Sequence, residues 1–234
     1  MASPSYLDIW IARELAECLN HFPQFDMAVQ SGIRHNVLGG FWYAAALFMI
    51  WVHAARQNQT AVRLRILTVI AGSVITILLT FAAAFVISWP PPVHSPGLAS
   101  LFPSSLEVNP NTNCFPSQST AVYGSIAAGI YSLHRTAGWI LWVALPFVVS
   151  LPRMYVGGHY LSDVVASIGL ALAGYACARY LLEPAVISRL HAHLAEWRQV
   201  RYLLDFLIFG WILEVAVEFS DLAWLLRGIK MVLA

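Results

Sequence analysis

Long apolar stretches separated by short polar breaks run through most of the chain. Residues 36–55 (NVLGGFWYAAALFMIWVHAA) and 66–89 (ILTVIAGSVITILLTFAAAFVISW) each supply the roughly 20 mostly apolar residues that a membrane-crossing helix needs. Residues 119–133 and 137–151 are shorter, and only the turn His134-Arg135-Thr136 separates them, which predicts a helical hairpin of shallower reach. Residues 159–182 make a fifth span, and 202–219 a weaker sixth because it carries Asp205, Glu214 and Glu218. Residues 6–22 differ in kind. Leu7, Ile11, Leu15, Cys18, Leu19 and Phe22 recur at helical spacing opposite Arg13, Glu14, Glu17 and His21. That pattern suits a helix lying in the membrane interface, or equally one packed on the bundle. The expected fold is therefore all-α: a polytopic membrane bundle of about five to six transmembrane helices with an N-terminal interfacial amphipathic helix. Its expected organisation is an amphipathic segment over 1–35, a membrane-embedded bundle over 36–219 and a C-terminal tail over 220–234.

Composition agrees with the pattern. Only 11% of the 234 residues are charged, 59% are hydrophobic and the mean hydropathy is +0.67, against roughly 25% charged residues in a soluble domain. Twelve arginines and one lysine, Lys230, leave a net charge of +1, and no basic run points to nucleic acid. Cys18, Cys114 and Cys177 lack the paired spacing that holds zinc. The start, MASPSYLDIW, has no basic region before an apolar core, so no cleavable signal peptide is expected. Positive charge sets the expected orientation. Arg56, Arg63 and Arg65, then Arg135, then Arg189, Arg198 and Arg201 fall on one side if the spans alternate. Residues 89–118, on the other side, contain no Lys or Arg, and Arg153 is the one exception there.

Candidate chemistry gathers at RMYVGGHYLSD, residues 153–163, on that arginine-poor side. If a helix begins near Gly158, His159 and Asp163 stand four apart on one face, where a carboxylate can fix the imidazole tautomer and sharpen its free nitrogen. Arg153 arrives from the preceding loop with a planar fork suited to phosphate oxygens. Gly157 and Gly158 would let main chain approach a ligand. In CFPSQSTAV, Ser117 is a candidate N-cap, and the amides of Gln118, Ser119 and Thr120 would point beyond the helix start. Two helix N-termini would then meet around one anion. The plainer alternative is a His–Asp pair and a snorkelling arginine satisfying one another at the membrane edge. A metal site would need more converging ligands than the sequence offers.

These residues resemble the type 2 phosphatidic acid phosphatase superfamily, which includes bacterial lipid pyrophosphatases. Its pattern has three parts: Lys-x6-Arg-Pro, then Pro-Ser-Gly-His, then Ser-Arg-x5-His-x3-Asp. Arg153, His159 and Asp163 match the third, with Pro152 in place of the serine, and Tyr155, Gly157, Tyr160 and Ser162 fit the same stretch. The second is half matched by Pro116-Ser117-Gln118-Ser119. The first is not matched, because Ala82 stands at the lysine and Trp89 at the arginine, before Pro90.

The resemblance implies a phosphohistidine at His159, with Asp163 orienting it and Arg153 binding phosphate. Ser117, Gln118, Ser119, Gly158, Tyr155 and His94 are the expected substrate-binding set, with His94 or Gln118 substituting in part for the missing cations. Ser119 occupies the place of the general-acid histidine. No cofactor and no metal are expected. The substrate would be an amphiphilic lipid phosphate or pyrophosphate, handled at the outer face of a bacterial inner membrane. Two alternatives remain open: a degenerate lipid-phosphate binder or transporter, and an enzyme transferring another group such as a lipid-linked sugar or headgroup. A homo-oligomer and a Cys18–Cys114 disulfide are also left open.

Overall fold

The computed structural model describes residues 4–19, 21–35, 39–57, 59–103, 113–187, 189 and 198–217. Among these every regular element is a helix. The bundle consists of α3 (Gly40–Arg56), α4 (Thr60–Val86), α5 (Gln118–Leu133), α6 (Arg135–Ala144), α7 (Leu151–Tyr155), α8 (Leu161–Cys177) and α9 (Arg198–Ala216). α4, α5 and α8 pack closely on one another, and α9 packs on α3. The expected tail, 220–234, lies outside the described residues.

α4 shows why this is a membrane bundle. Val74, Leu78, Phe81 and Phe85 form an exposed stripe at helical spacing, while Thr68, Ser73, Thr76 and Thr80 are buried. Large apolar side chains face outward and small polar ones inward, the reverse of a soluble helix. Three of the buried hydroxyls bond along the helix, Ser73 to the Ile70 carbonyl at 2.8 Å, Thr76 to that of Gly72 at 2.8 Å and Thr80 to that of Ile77 at 2.7 Å, while Thr68 reaches the Glu183 carboxylate at 2.7 Å. Gly174 of α8 lies directly against Thr76, where a Cβ would come within 2.1 Å of the hydroxyl, so only glycine permits the α4–α8 approach.

By length and apolarity three helical runs among the described residues can cross a membrane: Ala61–Val86, Arg135–Tyr155 and Leu161–Pro184. α3 has 17 residues and α5 has 16, somewhat short of a full crossing. The second arm of the expected hairpin is longer than its apolar run suggested. It continues from α6 through a widened π-helical segment, Leu145–Ser150, into α7. Pro146 sits in that segment and has no N–H to close a normal helical turn. In consequence Arg153 is not in a loop. It sits, buried, in α7.

α1 (Tyr6–Cys18) and α2 (Pro23–Arg34) cap one end of the bundle over α7 and α8. The face that α1 buries is Asp8, Ala12 and Ala16, while Tyr6, Leu7 and Trp10 remain exposed. A second core forms beneath the cap, where Ala12, Ala16, Leu19 and Val29 meet Phe102, Tyr155 and Tyr160. Two carboxylates latch the cap. Asp8 accepts hydrogen bonds from the Ser162 amide at 2.9 Å and from Ser5, and Asp26 accepts one from the Tyr155 hydroxyl. Burial works against ionising Asp8, but the bonds from Ser162 and Ser5 outweigh it and hold its carboxyl below the usual value. At the opposite end of the bundle Arg63 pairs with Asp205 at 2.8 Å, and Arg65 donates to the Ser132 carbonyl at 3.2 Å.

Candidate active site

The ends of α4 and α7 and the starts of α5 and α8 converge beneath the cap around a cavity of about 550 Å³. Its polar wall carries Arg153, Gly158, His159, Gln118 and Ser119. Its apolar wall carries Thr80, Phe81 and Ala84 of α4, Ile33 of α2, and Phe115 and Pro116. Phe81 is also exposed on the outer face of the bundle, so apolar surface runs from the lipid-facing side into the cavity.

The turn that presents His159 depends on Gly157, whose φ of +72° lies in the left-handed region that favours glycine. A Cβ there would also stand 2.6 Å from the Phe102 ring. The Gly157 amide donates to the Met154 carbonyl at 2.9 Å and the Gly158 amide to that of Arg153 at 2.9 Å, which closes the chain back onto α7. α8 begins at Leu161 and not near Gly158, because Tyr160 occupies the N-cap and Asp163, at the third helical position, accepts from the Tyr160 amide at 2.7 Å. His159 therefore precedes the helix.

Its environment differs from the simple His–Asp pair. Nδ1 lies 2.8 Å from the main-chain carbonyl of Cys114 and 3.6 Å from Asp163 Oδ2. A carbonyl only accepts, so Nδ1 carries the proton in this contact and Nε2 of the neutral ring keeps its lone pair. Asp163 is fully buried; its other oxygen, Oδ1, accepts from the Trp89 indole at 3.1 Å. Burial first, and then the Asp163 charge, push the Cys114 thiol up. Burial also raises the Tyr160 hydroxyl to about 12, despite its 2.7 Å hydrogen bond with Ser95.

Arg153 uses one guanidinium nitrogen on the Val149 carbonyl at 3.0 Å and still lines the cavity. Ser117 does occupy the N-cap of α5, but its buried hydroxyl turns to Thr120 Oγ1 at 3.0 Å and makes no capping bond. Neither Ser117, His94 nor Tyr155 lines the cavity. Tyr155 points to Asp26 beneath the cap, and His94 belongs to the single turn Pro92–His94. The start of α8 is not open to an anion as expected, since the Tyr160 and Ser162 amides are taken by Asp163 and Asp8. Cys18 and Cys114 are free thiols, exposed and buried respectively.

Sequence reasoning missed Asn113. Its side-chain amide donates to the Ala84 and Ile87 carbonyls at 3.1 and 2.9 Å, and its oxygen accepts from the Trp89 and Phe115 amides. It thereby pins the Cys114 segment to the end of α4. An Asn within NPNTNC carries no signal that separates it from its neighbours. Among the described residues no three His, Cys, Asp or Glu side chains converge as metal ligands.

A family model described as the PAP2 superfamily matches residues 66–184, from α4 through α8. Two bacterial proteins are similar to the chain. The bacitracin transport permease protein BcrC of Bacillus licheniformis is 29% identical over 161 residues, 68% of this chain and 73% of that protein. The undecaprenyl-diphosphatase BcrC of Bacillus subtilis (strain 168) is 31% identical over 147 residues, 62% of this chain and 71% of that protein. No solved structure gives a significant match.

Proposed function

The chain belongs to the PAP2 superfamily, and from that premise we propose that it is a membrane phosphatase removing the terminal phosphate of a polyprenyl pyrophosphate through a phosphohistidine at His159. The observation that carries the proposal is the imidazole in the cavity wall, its Nδ1 proton committed to the Cys114 carbonyl and its Nε2 free, with Arg153 on the same cavity. The name of the Bacillus subtilis relative supplies the substrate class.

In the first step Nε2 attacks the terminal phosphorus, the bond to the bridging oxygen breaks, and the lipid monophosphate leaves with the electron pair. Nδ1–H on the Cys114 carbonyl and the Asp163 carboxylate nearby stabilise the charge gained by the ring. Arg153, with Gln118 and Ser119, takes the phosphoryl oxygens. Water then attacks the phosphohistidine, releasing inorganic phosphate and restoring the ring. A general acid contributes about 10²–10⁴-fold where the leaving group needs a proton. A lipid monophosphate departs as a stable anion, so Ser119 in the acid's place is compatible with this substrate and poorly compatible with a lipid monophosphate ester.

The prenyl tail lies along the apolar wall of Phe81 and Ala84 toward the lipid-facing side. The site faces away from the cytoplasm. Support for that orientation comes from Arg63 and Arg65, which cluster at the opposite end of the bundle. A lipid-phosphate binder or transporter is the second reading, favoured by the permease name of the Bacillus licheniformis relative and by the absent first-part cations at Ala82 and Trp89. The test is incubation of the purified protein with radiolabelled polyprenyl mono- and pyrophosphates. Release of inorganic phosphate from the pyrophosphate is expected; saturable binding without release decides for the second reading.

A further inference from the structure

We infer that Trp89 is the positioning residue of the histidine site, holding one acceptor of His159 Nδ1 with its main chain and the other with its side chain. The inference rests on His159 as the nucleophile and goes beyond it, since Trp89 does not itself line the cavity.

The two arms are explicit. The Trp89 carbonyl accepts from the Cys114 amide at 3.3 Å and from the Cys114 thiol at 3.4 Å, and the Trp89 amide donates to Asn113 at 3.2 Å. These bonds place the Cys114 carbonyl that meets Nδ1. The indole N–H donates to Asp163 Oδ1 at 3.1 Å, and Asp163 Oδ2 is the second acceptor, 3.6 Å from Nδ1. The ring is held edge-on against Phe115, with centroids 5.0 Å apart. One residue thus bonds to both groups whose oxygens face the imidazole, alongside Asn113 on the Cys114 segment and the Tyr160 amide on Asp163.

The choice of an indole has a physical reason. Asp163 is fully buried, and the Tyr160 amide satisfies only Oδ2. Without a donor, Oδ1 would be a buried oxygen left unsatisfied, and the carboxyl group would rotate toward His159, pulling the ring off the Cys114 carbonyl. An arginine would satisfy Oδ1 but would also neutralise the charge that stabilises the imidazolium. The indole donates one hydrogen bond and brings no charge, so it holds Asp163 in place without setting a cation beside it.

Trp89→Phe isolates the indole arm, because it keeps the aromatic packing and both main-chain bonds while deleting the N–H donor. The experiment measures kcat and KM for phosphate release from a polyprenyl pyrophosphate in wild type, W89F, D163N, W89F/D163N and W89H. Losing a hydrogen bond to a charged group should lower kcat of W89F about tenfold with KM nearly unchanged. In the D163N background the same change should cost less than about twofold, as expected for two residues acting through one contact. W89H, which restores a ring N–H, should regain part of the rate. Should W89F fail to fold, W89L runs the same cycle. A W89F enzyme with wild-type kcat, or a full tenfold loss persisting in the D163N background, overturns the inference. A wild-type protein that releases no phosphate sinks the proposed function instead, whereas an active wild type with an additive cycle sinks this inference alone.

Discussion

Nδ1 of His159 sits 2.8 Å from the main-chain oxygen of Cys114, closer than the 3.6 Å that separates it from the carboxylate of Asp163. The backbone oxygen is therefore the nearer acceptor, and Asp163 is the second one and also caps α8; on the proposed mechanism Asp163 assists the ring and does not alone orient it. Asp163→Asn should accordingly lower phosphate release by about 10–100-fold, the range expected for a hydrogen-bonded charge. His159→Ala should lower it by more than about 10³-fold, as for a lost nucleophile. Steady-state rates of the two variants, each checked for folding, test the ordering. Equal losses would assign the tautomer to Asp163.

On the proposed mechanism, Ser119 in the place of the general acid governs which phosphates are turned over. The wild type should hydrolyse a polyprenyl pyrophosphate at least about 100-fold faster than the matching monophosphate, because only the second leaving group needs a proton. Ser119→His should raise monophosphate hydrolysis by about tenfold or more. Relative kcat/KM on the two lipids is the measurement.

Gly157 is held at φ +72° with Phe102 against its α-carbon. Gly157→Ala adds backbone strain and a clash, and should destabilise the protein by about 2 kcal/mol. A thermal melt in detergent reads the loss, and the rate should fall with it because the same turn carries His159.

Much of this arrangement was legible in the sequence and some was not, for identifiable reasons. Spans such as 66–89 and 159–182 declare themselves, since a helix that crosses lipid needs about 20 mostly apolar residues in a row. Arg153, His159 and Asp163 announced themselves as costly ionisable groups at a span end. The start of α8 was misplaced because Asp163 caps it from the third position while Gly157 turns the chain beforehand. The partner of His159 was hidden, because a main-chain carbonyl 45 residues away leaves no side-chain pattern. Tyr155 looked like a site residue for its place in the motif, yet its hydroxyl is spent on Asp26 of α2, a tertiary pairing that local spacing does not encode.

Asp8 ties α1 to the first turn of α8. Its carboxyl titrates below the ordinary value of about 3.9 in the folded protein, so its stabilisation is fully present above that pH and is lost as pH falls through the folded value. Asp8→Asn should lower stability by about 1–3 kcal/mol at neutral pH, the range for a disrupted buried hydrogen-bond set. The melting difference between wild type and D8N should shrink below about pH 4. A difference independent of pH would show that the carboxylate charge does not hold the cap.

The most direct test is to trap the intermediate. The protein is mixed with a polyprenyl pyrophosphate carrying a labelled terminal phosphate, quenched within a turnover, and digested to locate the label. The expected result is an acid-labile, base-stable label on the peptide bearing His159, absent in His159→Ala together with turnover. Steady release of phosphate by His159→Ala, or label found on another residue, would contradict it.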